Sequence, residues 1–250
     1  TTLVATDGVL ETDGGPVGID VLCLEEDSAR KLNSELTPSG EVVTWNLDRL
    51  GIPLIEIATA PDVKTPDHAK QTSIALGRTL RDTRRVRRGL GSIRQDLNVS
   101  IMCGDRVEIK GCQDLEWIPR IIRCEMARQL HFYRLANQLR EMHGLSLLPS
   151  DRREESESIA NQISQLLPLN LVDVSSRFSS CEAKRVKQGL AEKSVILALP
   201  LPGFSGLIGT KEFDADGAQM PRLGRELAGA AKLAGVAGVF HSDELPAYGI

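Results

Sequence analysis

Val17-Gly-Ile-Asp-Val-Leu-Cys-Leu-Glu-Glu-Asp27 is apolar for most of its length and ends on three consecutive acids. Such a run, bounded by turn residues and rich in branched side chains, predicts a strand. Upstream, Thr12-Asp13-Gly14-Gly15 is a turn signal, so 3–11 and 17–23 predict an antiparallel pair. Downstream comes a polar loop with Pro38 and Gly40, then two further strands, Glu41–Trp45 and Ile52–Ile57. Thr65-Pro66-Asp67 supplies a capping hydroxyl, a proline at the first turn and an acid, predicting a helix to about Thr83. Ser92–Met102 and Arg106–Ile109 read as a hairpin around Gly104-Asp105, and Ile118, Ile121, Ile122, Met126, Leu130, Leu135 and Leu139 give 114–141 a helical period. Antiparallel strands with helices on one side make this an α+β fold.

A charged stretch, Asp151-Arg-Arg-Glu-Glu-Ser-Glu157, marks a boundary or the polar start of another helix. Beyond about Leu171 the pattern predicts a second α+β domain: a helix over Cys181–Lys193, a strand over Ser194–Leu199, a helix over Arg222–Ala234 and a strand over Val236–Phe240. The expected division is therefore 1–150, a connecting helix or linker at 151–170, and 171–250.

With 250 residues and 41% hydrophobic side chains, the chain can bury a sizeable core. Its net charge of -4 means a nucleic acid must be met by a local basic patch, and 4% aromatics disfavour base-stacking platforms. Five cysteines without a C-x-x-C pair read as reduced thiols, and no run reaches the roughly 18 apolar residues of a membrane span. A cytoplasmic protein is expected. Absence of an initiator Met suggests an internal fragment.

Four constellations carry chemistry. Strand alternation sends Glu25 and Glu26 to opposite faces, so one of them at most joins a given site directly. Glu56 sits among apolar neighbours in Pro53-Leu-Ile-Glu-Ile-Ala58, where a buried carboxylate needs a partner or a metal; a solvated strand face is the simpler reading. Hard oxygen donors suit Mg²⁺ (or Mn²⁺) bridged to a nucleotide, whereas His68, His131, His143 and His241 lack zinc spacing. Next, Gly89 and Gly91 allow close backbone approach to a ligand, with Ser92 beside them, and Arg94, Asp96, Asn98 and Ser100 are expected to alternate along one strand face. An exposed polar sheet face explains the same pattern. Arg81, Arg84, Arg85, Arg87, Arg88 and Arg94 fall within 14 residues, a footprint for ATP phosphates or an RNA backbone, some of them serving the helix C-terminus instead. Finally, Glu108 and Lys110 share a strand face, either as a mutual ion pair or as a metal ligand and a phosphate-binding lysine. In the last segment, His241 precedes Asp243 and Glu244 without an activated nucleophile, which favours a packing or RNA-touching loop.

These stretches recur in one order in a known family. Val17–Lys31, Asn46–Ala58, Arg88–Ser100 and Arg106–Gln113 resemble the B/E family of glutamyl-tRNA(Gln) amidotransferase subunits. Arg222–Leu227 and Gly238–Ile250 resemble the domain inserted in the archaeal E type, similar to one in bacterial-type aspartyl-tRNA synthetases. Asn46-Leu-Asp-Arg49 and Ala60 depart from the B type and fit the E type. The resemblance implies a cradle domain that uses ATP and Mg²⁺ to phosphorylate the γ-carboxylate of glutamate on tRNA(Gln). Ammonia, drawn from glutamine or asparagine by an asparaginase-like D subunit, then displaces phosphate to give Gln-tRNA(Gln). By position, Glu26 and Glu56 match family metal ligands, with Glu25 and Glu108 as further candidates. Arg94 and Lys110 are assigned charge neutralisation, Gly89, Gly91, Ser92, Asp96, Asn98 and Ser100 substrate or nucleotide contacts, and Arg84, Arg85, Arg87 and Arg88 tRNA contacts. Further metal ligands are expected upstream of Thr1 and tRNA-gripping domains beyond Ile250, so the isolated fragment is expected to be inactive. The rival expectation is a non-catalytic tRNA-binding scaffold.

Overall fold

The computed structural model of the chain describes residues 1–89, 91–162, 170–213 and 220–248. Leu90 of the glycine segment, 163–169 of the expected linker, and Gly249-Ile250 of the terminal motif lie outside the described residues. Two compact units are present: Thr1–Leu97 with Ile109–Arg123, and Asn98–Glu108 with Cys124–Ile250. These divisions fall elsewhere than the expected limits near 150 and 171. Within the second unit, the Gln129 amide donates to Val99 O (3.1 Å) and accepts from Ile101 N (3.0 Å), tying the loop at 99–101 to the helix that carries Gln129.

In the first unit, β1 (Thr2–Leu10), β2 (Val17–Glu26) and β5 (Pro53–Thr59) form an antiparallel sheet in the order β1-β2-β5. The predicted turn joins β1 to β2. Gly14 is required there by close packing, because a Cβ would lie 2.5 Å from His68 Cδ2 and 2.7 Å from Gln71 Oε1. His68 opens the helix α1 (Pro66–Asp82), is buried, and pairs through Nε2 with Thr12 Oγ1 at 2.9 Å. Thr65 caps α1 as predicted, accepting from His68 N at 3.1 Å. Val17, Ala69, Cys112 and Ile118 are the buried apolar residues described in this unit.

Within β2 the pairing with β5 slips once. Ile19 faces Thr59, but Val21 already faces Ala58, so Asp20 is the extra residue of a bulge. From Val21 to Glu26 the register is regular.

The segment read as a polar loop contains a strand. β3 (Arg30–Thr37) pairs antiparallel with β4 (Gly40–Asn46), and nearly every residue of β3 is exposed. With neither face buried, the strand carries no apolar alternation for a sequence reading to find. Backbone pairing and cross-strand contacts such as Lys31–Glu41 (3.6 Å) define it instead. The expected strand over 92–102 shrinks to β6 (Leu97–Val99), paired with β7 (Val107–Ile109).

Helix α2 (Ile118–Met142) forms where the periodicity predicts it and buries Ile118, Leu135 and Leu139. Between them the buried positions belong to Glu125 and Gln129, with Met126 and Leu130 half-buried. In the second unit, α3 (Glu157–Asn161), β8 (Val172–Asp173), α4 (Lys184–Ala191), β9 (Leu197–Ala198) and α5 (Leu223–Leu233) complete the chain, with β8 paired to β9. No strand forms at 236–240, where Gly235 is left-handed (φ +84°) and the described residues offer no partner strand. Arg128 on α2 forks onto Glu226 of α5 at 3.1 and 2.8 Å and also meets Glu125 at 3.0 Å. This bidentate contact holds the Arg128 guanidinium above its usual range and the Glu226 carboxyl below its own.

Gln129 is among the buried polar side chains of this unit. It bonds Val99, Ile101 and Glu125. Replacing it with Leu strands a backbone N–H and a C=O, and we expect a loss of about 1–3 kcal/mol in urea unfolding. A variant as stable as the wild type would refute that role.

Candidate functional site

Register, rather than sequence proximity, decides which acids meet. Glu56 lies opposite Cys23, Glu25 opposite Leu54, and Glu26 opposite Pro53. Directly paired residues share a face and successive residues alternate, so Glu25 and Glu56 lie on one face and Glu26 on the other. The expected pairing of Glu26 with Glu56 is thereby replaced by Glu25 with Glu56, a diagonal neighbour pair. Glu25 is half-buried and accepts a hydrogen bond from the Thr1 hydroxyl. Glu56 is exposed, so its strand position imposes no desolvation cost that a metal must relieve. Glu26 is exposed too, and its carboxylate is next to the turn at Gly51, where a Cβ would sit 3.6 Å from Oε1. Among the described residues, no three His, Cys, Asp or Glu side chains are grouped as a metal site.

The acid that organises this end of β2 is Asp27, assigned no site role by the motif. Only 10% of its side chain is exposed, yet two arginines reach it: Arg49 Nε at 2.7 Å from Oδ2 and Arg94 Nη2 at 3.4 Å from Oδ1. The Arg49 N–H is not aligned with Oδ2, which has no hydrogen-bond partner, so that contact is an ion pair. Ser28 N donates to Oδ1 at 3.1 Å. Asp27 is also fixed through its backbone, donating to Ile52 O at 2.9 Å and accepting from Gly51 N at 3.1 Å. Gly51 has φ +82°, a conformation that side-chain-bearing residues adopt at a cost of roughly 1–2 kcal/mol. Burial by itself pushes the Asp27 carboxyl up, but Arg49, the Ser28 amide and Arg94 together outweigh it and hold the group below 3.8.

The glycine segment closes on itself. Gly89 (φ +113°) and Gly91 (φ +75°) are left-handed, and Ser92 donates to Gly89 O through both its amide (3.3 Å) and its hydroxyl (2.7 Å). The expected polar strand face is absent, because Arg94 and Asp96 precede β6 and Ser100 follows it. The Asp96 carboxylate takes the Gly111 amide (2.9 Å) where a backbone carbonyl would continue the ladder, and Cys112 N donates to Gln95 O (3.0 Å), so 94–96 is held as a loop. Asp96 Oδ2 also lies 3.4 Å from Lys110 Nζ, so both side chains are engaged with each other. Burial, assisted by Asp96, pushes the Cys112 thiol up.

Asn98, Ser100 and Glu108 belong to the second unit and are exposed there. Arg84 (φ +58°), Arg85, Arg87 and Arg88 are exposed beyond the end of α1, and among the described residues no acid pairs with them. In the second unit, His241 lies 3.5 Å from both Asp243 and Glu244, and its Nδ1 makes no hydrogen bond among the described residues.

Residues 2–219 match the sequence pattern of the GatB/GatE catalytic domain. The chain belongs to that family. The E-type subunit of glutamyl-tRNA(Gln) amidotransferase from Methanocaldococcus jannaschii is 44% identical over 252 residues, covering all of this chain and 35% of that protein. Its counterpart in Pyrococcus furiosus is 44% identical over 250 residues and that in Aeropyrum pernix 43% over 251, at the same coverage. The chain thus spans 35% of the length of these curated relatives. Family membership agrees with the resemblance read from the motifs. Among the described residues, no helix of this GatB/GatE-family chain is long and apolar enough to cross a membrane.

A carboxyl held below its usual value stabilises the fold above that value and loses the contribution as pH falls through its folded pKa. Asp27→Asn is therefore expected to unfold more easily than the wild type near neutral pH, with the gap closing below pH 3.8. Denaturant titrations across that range check it, and a gap independent of pH would sink the ion-pair account.

Proposed function

We propose that this chain is part of the phosphoryl-transfer and amidation domain of a Glu-tRNA(Gln) amidotransferase. The observation that carries the reading is the shared face of Glu25 and Glu56, close in the chain to the Asp27–Arg94 ion pair, in a member of the GatB/GatE family. Two hard carboxylates suit Mg²⁺, which is commonly held by one or two such groups together with substrate phosphates. Glu25 and Glu56 would hold it, and when bound it supplies charge neutralisation between the nucleotide and the acceptor carboxylate. ATP is the phosphoryl donor and the glutamyl γ-carboxylate on tRNA the acceptor.

The chemistry accounts for the need for both steps. A free carboxylate is a poor acceptor for ammonia, since oxide would have to leave. Phosphorylation converts that oxygen into a phosphate leaving group, and ammonia attacks the carbonyl carbon to give the amide. Arg94 is largely exposed, commits one N–H donor among the described residues, and in this reading draws charge from the transferring phosphoryl group. Lys110 has the same sign but is turned toward Asp96, which makes it the weaker candidate. Arg84, Arg85, Arg87 and Arg88, exposed and without acidic partners among the described residues, suit an RNA backbone. An ammonia-supplying, asparaginase-like subunit is the partner this scheme requires, making the working enzyme a hetero-oligomer. The similarity of residues 171–250 to an inserted aspartyl-tRNA-synthetase-type domain belongs to the same proposal.

Two outcomes follow. In the assembled enzyme, Glu25→Gln and Glu56→Gln are expected to lower Glu-tRNA-dependent ATP cleavage at least about a hundredfold with tRNA binding retained, while Glu26→Gln costs much less. A severe Glu26→Gln defect beside a silent Glu25→Gln would return the site to the other strand face. Changing Arg84, Arg85, Arg87 and Arg88 together to Gln should reduce the slope of log affinity for tRNA against log salt by about 3. An unchanged slope would remove these arginines from the RNA interface.

A further inference from the structure

Arg49 and Arg94 come from segments 45 positions apart (94 less 49), yet both terminate on one carboxylate. We infer that Arg49 and Arg94 form a two-pronged receptor for a polyphosphate chain, with Asp27 as the positioning residue that sets the spacing of the prongs. The inference rests on the nucleotide-dependent reading above and adds Arg49 and Asp27 to it.

Three observations carry it. First, the anchor is rigid: Asp27 is nine-tenths buried, and its backbone is hydrogen-bonded through both N–H and C=O to the Gly51–Ile52 turn. Second, the prongs are not consumed by the anchor. Their side chains are 52% and 57% exposed, and among the described residues Asp27 is the sole acid on either. A guanidinium has five N–H donors, whereas Arg94 commits one at 3.4 Å and Arg49 makes a misaligned contact. Third, the two guanidiniums outnumber the one carboxylate they share, and this excess cation faces solvent just past Glu25 and Glu26, which end β2.

Two guanidinium forks gathered on one anchored carboxylate suit neighbouring phosphate groups in bidentate fashion, which a single arginine does not. An RNA backbone offers similar chemistry. The exposed arginines at 84–88 lack any such anchor among the described residues, and an unanchored basic loop suits a long, irregular polyanion better than a fixed clamp does. The nucleoside triphosphate is therefore the assigned ligand here, and RNA is the competing outcome of the test.

The test is calorimetric titration of the chain with inorganic tripolyphosphate, with Mg·ATP and with tRNA, for the wild type, Arg49→Gln, Arg94→Gln, Asp27→Asn and the double variant Asp27→Asn/Arg94→Gln. Each arginine variant is expected to weaken tripolyphosphate binding about tenfold or more, the loss of one charge-assisted hydrogen-bonding group. Asp27→Asn removes a negative charge, so a bystander carboxylate predicts tighter anion binding; a positioning residue predicts weaker binding. The double variant should bind no more weakly than Arg94→Gln by itself, since both changes remove one function.

Thermal unfolding of every variant is measured alongside, and if Asp27→Asn does not fold, the two arginine variants decide the matter. Wild-type protein that does not bind tripolyphosphate, or Asp27→Asn that binds it as well or better, would overturn the inference. So would arginine variants that lose tRNA affinity alone. Tripolyphosphate binding that follows the expected pattern without any binding of Mg·ATP would leave the receptor standing and remove the ATP-dependent reading. ATP binding untouched by Arg49→Gln and Arg94→Gln would do the reverse.

Discussion

The pairing of β2 on both edges is the constraint from which the first unit follows. Flanked by β1 and β5, the strand has its residues committed to one face or the other by hydrogen bonds on two sides. A one-residue slip would exchange every inward side chain for an outward one, so the register is specified strongly wherever one face is covered. That commitment puts Glu25 and Glu56 together and separates Glu26 from them. It also delivers Asp27, the first residue beyond the strand, to the turn at Gly51–Ile52, where its backbone is captured and its carboxylate collects two arginines.

Much of this architecture is legible in the residues. Capping at Thr65, the tight turn before Val17 and the long period of α2 each have a local cause, and local causes survive folding. Strand β3 is hidden for a physical reason: a hairpin exposed on both faces has no hydrophobic alternation to betray it. The polar face expected along 92–102 fails for a different reason. Alternation assumes a continuous ladder, and Gln95 and Asp96 are drawn out of it by Cys112 and Gly111. Long-range bonds of this kind leave no mark in a local window.

The site shows the same division. Acids at the end of an apolar strand announce chemistry, and family motifs narrow the choice to a few carboxylates. Which of two adjacent glutamates joins Glu56 depends on a cross-strand register that no stretch of single sequence contains. Asp27 is the more telling case. As the last letter of an acidic run it looks like a solvated terminus, whereas its burial and paired arginines emerge only once segments around 27, 49 and 94 are brought together.

The bulge at Asp20 bears on how such a strand can change. Before it, Ile19 shares the phase of Thr59; after it, Val21 takes the phase of Ala58, so β2 slips by half a period against β5 while its pairing with β1 runs regularly from Val17 to Leu22. The strand can therefore satisfy a core at one end and present acids at the other without either end dictating the other's parity. Were Asp20 drawn into the ladder instead, with Ile19 still opposite Thr59, Leu22 would face Glu56 and the face shared with Glu56 would pass from Glu25 to Glu26. A change in the path of one residue, five positions before Glu25, would thus be read out as an exchange of the two glutamates.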